Sequence, residues 1–340
     1  MASSKRTIVL ENVDVAYVNA IRRTILSEIE NVAICTNNMK FISNTTSLHN
    51  EFMQHRLSLI PLHLTSDEIE NFSPSAFKFV LNVENKEDIT KNITTNDIKV
   101  FDKEGVEVDK KTHKHIFPPY KHTDGSEHHT LITKLKKDEE LHVEFRAAKG
   151  IAMDNAKWSP VSTASYTYEV DDKEYKKQLA AKKAANATKE EMNFFKTIEK
   201  QRIYKKDKHG RPNSFRFVIE SECRLEPLYI MNAAVKKVIE NLQKFPKKLK
   251  KVSIENDLHI LEFEDEGYTI SNIIHTTMIN NYVDKDKRIT YAGYIKPHAL
   301  EDVVVFKIKF IKQDDSVEGF VASCVKDTIN KMNEFLEQEE

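Results

Sequence analysis

Five histidines lie close together in the first half of the chain, and imidazole is a common zinc ligand. With Asp124 and Glu127 they fall within 17 residues. They are His113, His115, His122, His128 and His129. The same stretch contains Pro118-Pro119 and Asp124-Gly125, which favour loops and turns. We therefore predict a polar loop here. A zinc-dependent hydrolase is the alternative, and it requires bound metal.

Motifs of common catalytic and nucleotide-binding sites are absent from the sequence. The chain has 7 glycines, and the closest two are 20 residues apart, which excludes GxxxxGK[ST] and GxGxxG loops. It contains no HExxH, no GxSxG and no clustered aspartates for two magnesium ions. Cys35, Cys223 and Cys324 form no C-x-x-C pair, so we expect core thiols in a reducing compartment. The sequence predicts no catalytic residue, metal or cofactor.

The overall charge is balanced, unlike that of a protein that coats nucleic acid. Lys and Arg number 52 and Asp and Glu number 53, for a net charge of -1. Basic residues are concentrated in 171–211, with 13 Lys and Arg against 7 Asp and Glu, and in 247–251. We interpret 171–211 as a charged helical or loop insertion and 246–251 as a linker. The alternative is a free-standing nucleic-acid-binding protein that uses both segments.

Hydropathy predicts neither a membrane span nor a secretory signal. The longest aliphatic and aromatic runs are far shorter than the ~20 apolar residues that a spanning helix needs. The first residues, MASSKRTIVLENVD, lack an apolar signal-peptide core. We therefore expect no membrane contact and no secretion.

A helix is predicted from Asn12 or Asp14, either of which can cap it, to about Glu30. Its apolar stripe is Val18, Ile21, Ile25 and Ile29. Arg22 and Arg23 follow Ile21 by about 100° and about 200° around the helix, so Arg23 points away from the stripe. From spacing alone both arginines could simply be solvated.

A second helix is predicted at about 51–59, before Pro61. Glu51 and His55 are one turn apart and could pair on its surface. Arg56 is the next residue. A subunit contact through these three side chains is the competing interpretation.

Two long helices in the second half carry apolar seams with the spacing of helices that pack along other helices. The seam that follows Pro227 is Met231, Val235, Val238, Leu242 and Phe245. The seam of the last segment, about 317–336, includes Val321, Val325, Ile329 and Met332. A shorter helix, about 268–279, places Ile270, Ile273 and Ile274 on one face. A single helix cannot bury such a face, so we predict helix pairing.

The predicted elements define an α+β fold with a repeated order. Short strands around 77–83, 98–101, 130–135 and 141–145 indicate a small β-rich domain. The order strand, helix, strand, long helix occurs in 7–30 plus 213–245 and again in 252–336. The first copy contains a large insertion.

Five stretches resemble, in order, the alpha-like subunits of multi-subunit DNA-directed RNA polymerases. Three resemble the large alpha-like subunit: NAIRRTIL at 19–26, NEFMQHRLSLIPL at 50–62 and GIAMDNAKWSP at 150–160. Two resemble the small alpha-like subunit: EGYTISNII at 266–274 and YAGYIKPHALE at 291–301. The resemblance implies a fusion of the large and small subunits, as in large DNA viruses of eukaryotes.

The resemblance also implies an architecture. Two modules, each an antiparallel sheet with two helices, would pair about a pseudo-two-fold axis. The large module would comprise 1–62 plus 166–245, with an inserted β-rich domain at 63–165 and the charged insertion at 171–211. The small module would comprise 252–340.

The implied function is a non-catalytic assembly platform. Arg22 and Arg23 would mark the face that receives the second-largest subunit, and Glu51, His55 and Arg56 are further interface candidates. The implied partners are the largest and second-largest subunits and other small subunits, with DNA reached only through the complex and no homodimer required. The implied locations are the host cytoplasm or nucleus and the virion.

Two departures from the family pattern limit what the resemblance implies. Residues 63–165 contain no cysteine, so the zinc loop or iron–sulfur insert of some large subunits is not expected. His275-Thr276 stand where the small subunit often has a basic pair, so a contact made by those charges is not expected.

Overall fold

The computed structural model describes residues 4–221, 223–311 and 316–337. In chain order the strands are β1 (Ser4–Glu11), β2 (Glu30–Asn44), β3 (Lys78–Asn85), β4 (Lys91–Thr94), β5 (Lys99–Phe101), β6 (Tyr120–Lys121), β7 (Glu127–His128), β8 (Leu131–Leu135), β9 (Glu139–Ile151), β10 (Val161–Tyr168), β11 (Ser214–Ser221), β12 (Leu249–Glu255), β13 (Leu258–Glu264), β14 (Ile289–Ile295) and β15 (Val303–Phe310). The helices are α1 (Val15–Ser27), α2 (Asn50–Ser58), α3 (Ser66–Glu70), α4 (Lys110–Ile116), α5 (Asp172–Ala184), α6 (Lys189–Thr197), α7 (Pro227–Lys244), α8 (Tyr268–Thr277) and α9 (Val317–Glu337). The predicted fold class, α+β with antiparallel sheets, is confirmed.

The chain divides into two compact units. The first contains the described parts of 1–5, 26–163 and 220–230, and the second those of 6–25, 164–219 and 231–340. Within the described residues, no helix combines the length and apolar character that crossing a bilayer requires.

The first unit is built on the antiparallel sheet β2-β9-β3-β5. Strand β2 pairs with β9 from Glu30↔Ile151 to Asn44↔Leu141, and β3 pairs with β9 on its other side. We had not predicted β2, because its second half (TNNMK) is polar and shows no alternation. This backbone pairing brings residues 26–62 into the same compact unit as most of the β-rich domain predicted at 63–165.

The second unit contains the sheet β12-β13-β15-β14 and most of the sheet β1-β11-β10. Phe245, Phe263 and Phe306 form an aromatic cluster, and the ring centroids of Phe245 and Phe263 are 4.2 Å apart.

Helix α1 begins where the sequence predicts. Asp14 accepts a hydrogen bond from the Ala16 N–H at 2.9 Å, as expected of an N-cap residue. Helix α1 ends at Ser27, three residues earlier than expected, because β2 begins at Glu30.

The segment 246–251 is ordered rather than a free linker. A 3-10 turn, Phe245–Lys248, leads directly into β12, whose Leu249 pairs with Phe263. Lys248 Nζ lies 3.0 Å from Glu266 Oε2. These lysines therefore belong to the C-terminal sheet and its ion pairs.

The insertion 171–211 has a small core of its own. Helices α5 and α6 bring Tyr175 and Phe195 into a stack with ring centroids 5.4 Å apart, and Phe195 is fully buried. Lys182 Nζ lies 2.6 Å from a carboxylate oxygen of Glu199 and above the Phe195 ring. The predicted charged segment is therefore packed, and its apolar residues hold it together.

Gly150 and Trp158 explain why the GIAMDNAKWSP stretch has its sequence. A Cβ on Gly150 would lie 2.4 Å from Trp158 Cε2, which is closer than non-bonded carbon atoms approach. The Trp158 indole N–H donates to the Ala148 carbonyl at 3.1 Å. The indole therefore lies flat on a glycine of β9, and any side chain there would displace it.

We predict that Gly150→Ala destabilises the first unit by about 1–3 kcal/mol, because the added methyl overpacks the indole contact. Trp158 is the single tryptophan of the chain, so its fluorescence reports unfolding of this unit specifically. Gly319→Ala is the control. Its Cβ would meet Ser316 at an ordinary 3.6 Å inside α9, so this change should be neutral or stabilising. Equal fluorescence-detected stability of wild type and Gly150→Ala would contradict the contact.

Candidate functional site

Arg22 and Arg23 lie on α1 in the second unit, off its buried stripe. Arg22 is half-buried, and its Nε donates to Asn19 Oδ1 at 3.0 Å. Arg23 is exposed, and its Nε donates to Thr269 Oγ1 at 2.8 Å. Because Thr269 belongs to α8, Arg23 also ties the N-terminal helix to the C-terminal module. Their role in subunit docking stays a prediction.

Helix α2 of the first unit carries Glu51, His55 and Arg56. All three are exposed, and no ion pair joins Glu51 to His55 within the described part of the chain. Arg56 donates from Nε to the Ile132 carbonyl at 2.9 Å and from Nη2 to the Leu131 carbonyl at 3.3 Å. Arg56 therefore fixes α2 against β8 and has a structural role in its own unit.

Sequence reasoning missed two apolar side chains on and beside this helix. Phe52 is 64% exposed and Leu59 is 55% exposed. They are seven positions apart, and His55 and Arg56 lie between them. An exposed phenylalanine next to a cationic side chain is typical of an interface core. The sequence pattern could have predicted this exposure, because the helical spacing of the buried Met53 and Leu57 places Phe52 off their face.

The clustered histidines do not converge on one point. His113 Nε2 contacts the Ile98 carbonyl at 2.8 Å, while His115 Nε2 lies 3.0 Å from Glu68. His122 and His128 face each other across the β6–β7 hairpin with ring centroids 6.4 Å apart. No group of three or more potential metal ligands is assembled anywhere in the residues that the structure describes. The predicted polar loop is partly wrong, because α4 covers 110–116.

Nearly all of the predicted seam residues are buried in the second unit. The α7 seam (Met231, Val235, Val238, Leu242, Phe245) is at most 1% exposed. Ile270, Ile273 and Ile274 of α8 and Val321, Val325 and Met332 of α9 are also buried. Ile329 is only half-buried, so it belongs to the margin of the α9 seam. The assignment of these residues to packing between the two modules stays a prediction.

A chain of three hydroxyls links the N-terminal helix to both helices of the C-terminal module. Tyr17 Oη lies 2.7 Å from Thr277 Oγ1, which lies 2.8 Å from Thr328 Oγ1. Burial raises the pKa of Tyr17 to about 12. Phe335 packs near the Tyr17 ring, with centroids 6.5 Å apart. Buried hydroxyls that satisfy one another fix a particular packing geometry, because any shift leaves a polar group unpaired.

Comparisons with known proteins identify both halves of the chain. A family model described as the RNA polymerase Rpb3/Rpb11 dimerisation domain matches residues 7–242, and a second model of that description matches 259–338. Among curated proteins, subunit 3B of the DNA-directed RNA polymerases IV and V of Arabidopsis thaliana is 33% identical over 48% of this chain and 53% of its own length.

Two further relatives extend the comparison. Subunit rpb3 of the DNA-directed RNA polymerase II of Dictyostelium discoideum is 28% identical over 47% of this chain and 53% of its own. Subunit Rpo3 of the DNA-directed RNA polymerase of Pyrococcus horikoshii is 27% identical over 73% of this chain and 94% of its own. The chain thus spans about half the length of the two eukaryotic relatives.

We predict that Val238→Asp destabilises the chain by about 4 kcal/mol or more, because it places an unpaired carboxylate at a fully buried seam position. Ile329→Asp is the matched comparison. At a half-buried position the new carboxylate can reach water, so we expect about 1–2 kcal/mol. Thermal denaturation followed by circular dichroism measures both. An equal loss of stability in the two variants would contradict the prediction that burial of the seam position determines the cost of the carboxylate.

Proposed function

This chain belongs to the RNA polymerase Rpb3/Rpb11 dimerisation-domain family, and we propose that it is a non-catalytic assembly subunit of a DNA-directed RNA polymerase. In this proposal its two dimerisation domains pair with each other inside one chain. The surface that they form together receives the two largest subunits and other small subunits. Catalysis belongs to those partners, and DNA is reached only through the complex.

The observation that carries the proposal is the composition of the second unit. It contains the N-terminal helix region 6–25, the region 164–219 and the described part of 231–340. Both domain matches therefore contribute to one compact unit. The Tyr17–Thr277–Thr328 contacts and the Arg23–Thr269 hydrogen bond join the two matched regions directly. This supports pairing within the chain and a fusion of two ordinarily separate subunits.

The docking surface is proposed from chemistry and position. Arg22 and Arg23 present guanidinium groups on α1 of the second unit, and such groups bind carboxylates with two parallel hydrogen bonds. On α2 of the first unit, Phe52 and Leu59 add apolar area to Glu51 and His55. We assign both helices to contacts with large subunits, and Arg22 and Arg23 to the second-largest one.

The competing nucleic-acid function is disfavoured by how the basic segments are paired. Lys182 of the insertion lies 2.6 Å from Glu199, and Lys205 lies 2.7 Å from Glu11. Three lysines of 247–251 form ion pairs as well. These are Lys248 with Glu266, Lys250 with Glu264 and Lys251 with Glu262. Because DNA binding depends on cationic charge that neutralises phosphates, the lysines already paired with a carboxylate are weaker DNA contacts than the composition of these segments indicates.

The source and cellular location follow from the fusion alone. We propose a large DNA virus of eukaryotes as the source, with assembly in the host cytoplasm or nucleus and packaging in the virion. Sequencing the genome region that encodes the chain and mass spectrometry of purified particles test this part separately.

We predict that Arg22→Ala with Arg23→Ala weakens recovery of the second-largest subunit in co-expression and affinity purification by roughly tenfold, because two cationic anchors are lost. Arg6→Ala with Lys208→Ala removes two exposed cations elsewhere in the second unit and should leave recovery unchanged. Circular dichroism checks that loss of the hydrogen bond between Arg23 and Thr269 has not unfolded the chain. Undiminished recovery by the Arg22 and Arg23 variant would remove these residues from the interface.

We predict that a chain cut between Lys248 and Leu249 stays together as two fragments, because buried seams and the hydroxyl chain join the matched regions without the backbone link. A protease site inserted there, cleaved under native conditions and analysed by gel filtration, measures this. A site inserted at Lys208 in the exposed turn before Gly210 is the control for cutting itself. Separation of the 248/249 fragments into soluble monomers would refute pairing within the chain.

A further inference from the structure

A groove of about 1000 Å³ runs along strand β10 in the second unit. One wall is residues 164–168 of β10, and the other is the end of α6 with the short 3-10 turn that follows it. Helix α1 contributes Asn19 and Arg22. The charged insertion thus builds one side of the groove, and the β1-β11-β10 sheet builds the other.

Strand β10 is the last strand of its sheet, so one of its edges lacks a partner strand within the described residues. The Glu169 N–H donates to the Ser214 carbonyl on the β11 side. Backbone groups of a strand alternate between its two edges. The N–H groups of Ala164, Tyr166 and Tyr168 therefore point away from β11, and all three residues line the groove. The five residues 164–168 offer about 16 Å of edge to a second strand.

The groove is cationic. Arg22, Lys196 and Lys200 line it, and none of its described lining residues carries a carboxylate. The carboxylates nearest in sequence are already paired. Glu199 lies 2.6 Å from Lys182, and Glu169 lies 2.8 Å from Arg216. Positive charge on the walls is thus left without a partner of opposite sign inside the groove.

The strand is held in place for binding. Tyr166 and Tyr168 both pack edge-on against Phe215 of β11 with ring centroids 5.7 Å apart, and Tyr168 also contacts Tyr204. Burial raises the pKa of Tyr166, and the nearby Arg22 charge opposes that rise. An ordered edge loses little entropy when a second strand is added to it.

We propose that this groove binds an extended, acidic segment of a partner protein, which adds as a strand to the free edge of β10 while its carboxylates contact Arg22, Lys196 and Lys200. Strand addition at a sheet edge gains main-chain hydrogen bonds, and side-chain pockets give specificity. Arg22 Nε is engaged by Asn19, so its terminal Nη1 and Nη2 atoms bind the carboxylate. An extended peptide with acidic residues at alternate positions matches both features.

A peptide fits this groove better than a single-stranded nucleic acid does. Nucleic-acid grooves present aromatic faces on which bases stack, whereas the half-buried ring of Tyr166 packs against Phe215 and Phe217 of its own sheet. The unpaired amide edge of β10 needs a row of carbonyl acceptors, which a peptide backbone supplies at the matching spacing.

The inference goes beyond the proposed function, because it needs only the isolated chain and no polymerase subunit. Arg22 belongs to both proposed interfaces, so the test uses Lys196 and Lys200, which have no part in the proposed large-subunit interface. A variant that loses subunit docking but still binds the peptide, or one that loses the peptide but still docks the subunits, therefore distinguishes the two proposals.

The test is fluorescence anisotropy of the full chain with a labelled nine-residue peptide of alternating threonine and glutamate. Lys196→Glu with Lys200→Glu should weaken binding roughly tenfold or more, since attraction is replaced by repulsion. Lys173→Glu with Lys176→Glu makes the same charge change on α5, at exposed positions outside the groove, and should leave binding unchanged. A threonine–lysine peptide should not bind.

Hydrogen exchange then identifies the edge. Bound peptide should slow exchange at the amides of Ala164, Tyr166 and Tyr168, and should change the amides of Ser165 and Thr167, which face β11, much less. The proposal is overturned if the peptide does not bind, if both charge-reversal variants bind equally, or if the three amides gain no protection. Tighter binding of a nine-nucleotide thymidine oligonucleotide than of the peptide would also overturn it.

Discussion

Burial of the long-helix seams is the constraint on which the rest of this molecule depends. Four seam residues of α7 and Phe245, which directly follows the helix, are at most 1% exposed, and the seam residues of α8 and most of those of α9 are buried in the same compact unit. Burying an aliphatic side chain stabilises a fold by about 1.5–3 kcal/mol relative to leaving it exposed. In the proposed pairing of the two modules, each one covers the apolar face of the other. Apolar burial alone does not fix how the helices pack, and the hydrogen bonds between the buried hydroxyls of Tyr17, Thr277 and Thr328 favour one packing geometry.

The first unit is held by a different kind of contact. Its sheet depends on the long pairing of β2 with β9, and its surface elements are fixed by individual polar anchors. Arg56 binds two carbonyls at β8, and the Trp158 indole binds the Ala148 carbonyl while lying on Gly150. Two of the stretches that carry the family resemblance therefore have local structural reasons for their sequence. A motif residue can be required by its own unit as well as by a partner.

The composition of the insertion does not show which of its basic residues are paired with carboxylates. The insertion 171–211 is basic overall, yet Lys205 pairs with Glu11 and Arg211 with Asp284, and both carboxylates come from distant parts of the chain. The cations left without such partners in the groove, Lys196 and Lys200, are a small subset. The charge available in the proposed peptide groove thus depends on which lysines pair with a carboxylate on folding.

The sequence by itself determined the elements whose signal is local. Helical periodicity predicted α1, α7, α8 and α9 and their buried faces, and the motif order predicted the two dimerisation domains and the family. Strand patterns predicted β3, β5, β8 and part of β9. These succeed because apolar spacing and capping act over one or two turns, within the reach of sequence patterns.

Only the tertiary structure decided the features that depend on distant residues. Strand β2 was missed because its polar half forms a strand through pairing with β9, more than 100 residues away. Ile329 fits the seam pattern yet lies at its margin, because the neighbouring elements determine how far burial extends along a helix. The histidines are close in sequence but form no group of three or more potential metal ligands within the described residues, because a helix carries some of them and a hairpin carries others. Burial, strand pairing and charge neutralisation each depend on a contact between two residues. When the second residue is distant in the chain, a local sequence pattern does not include it.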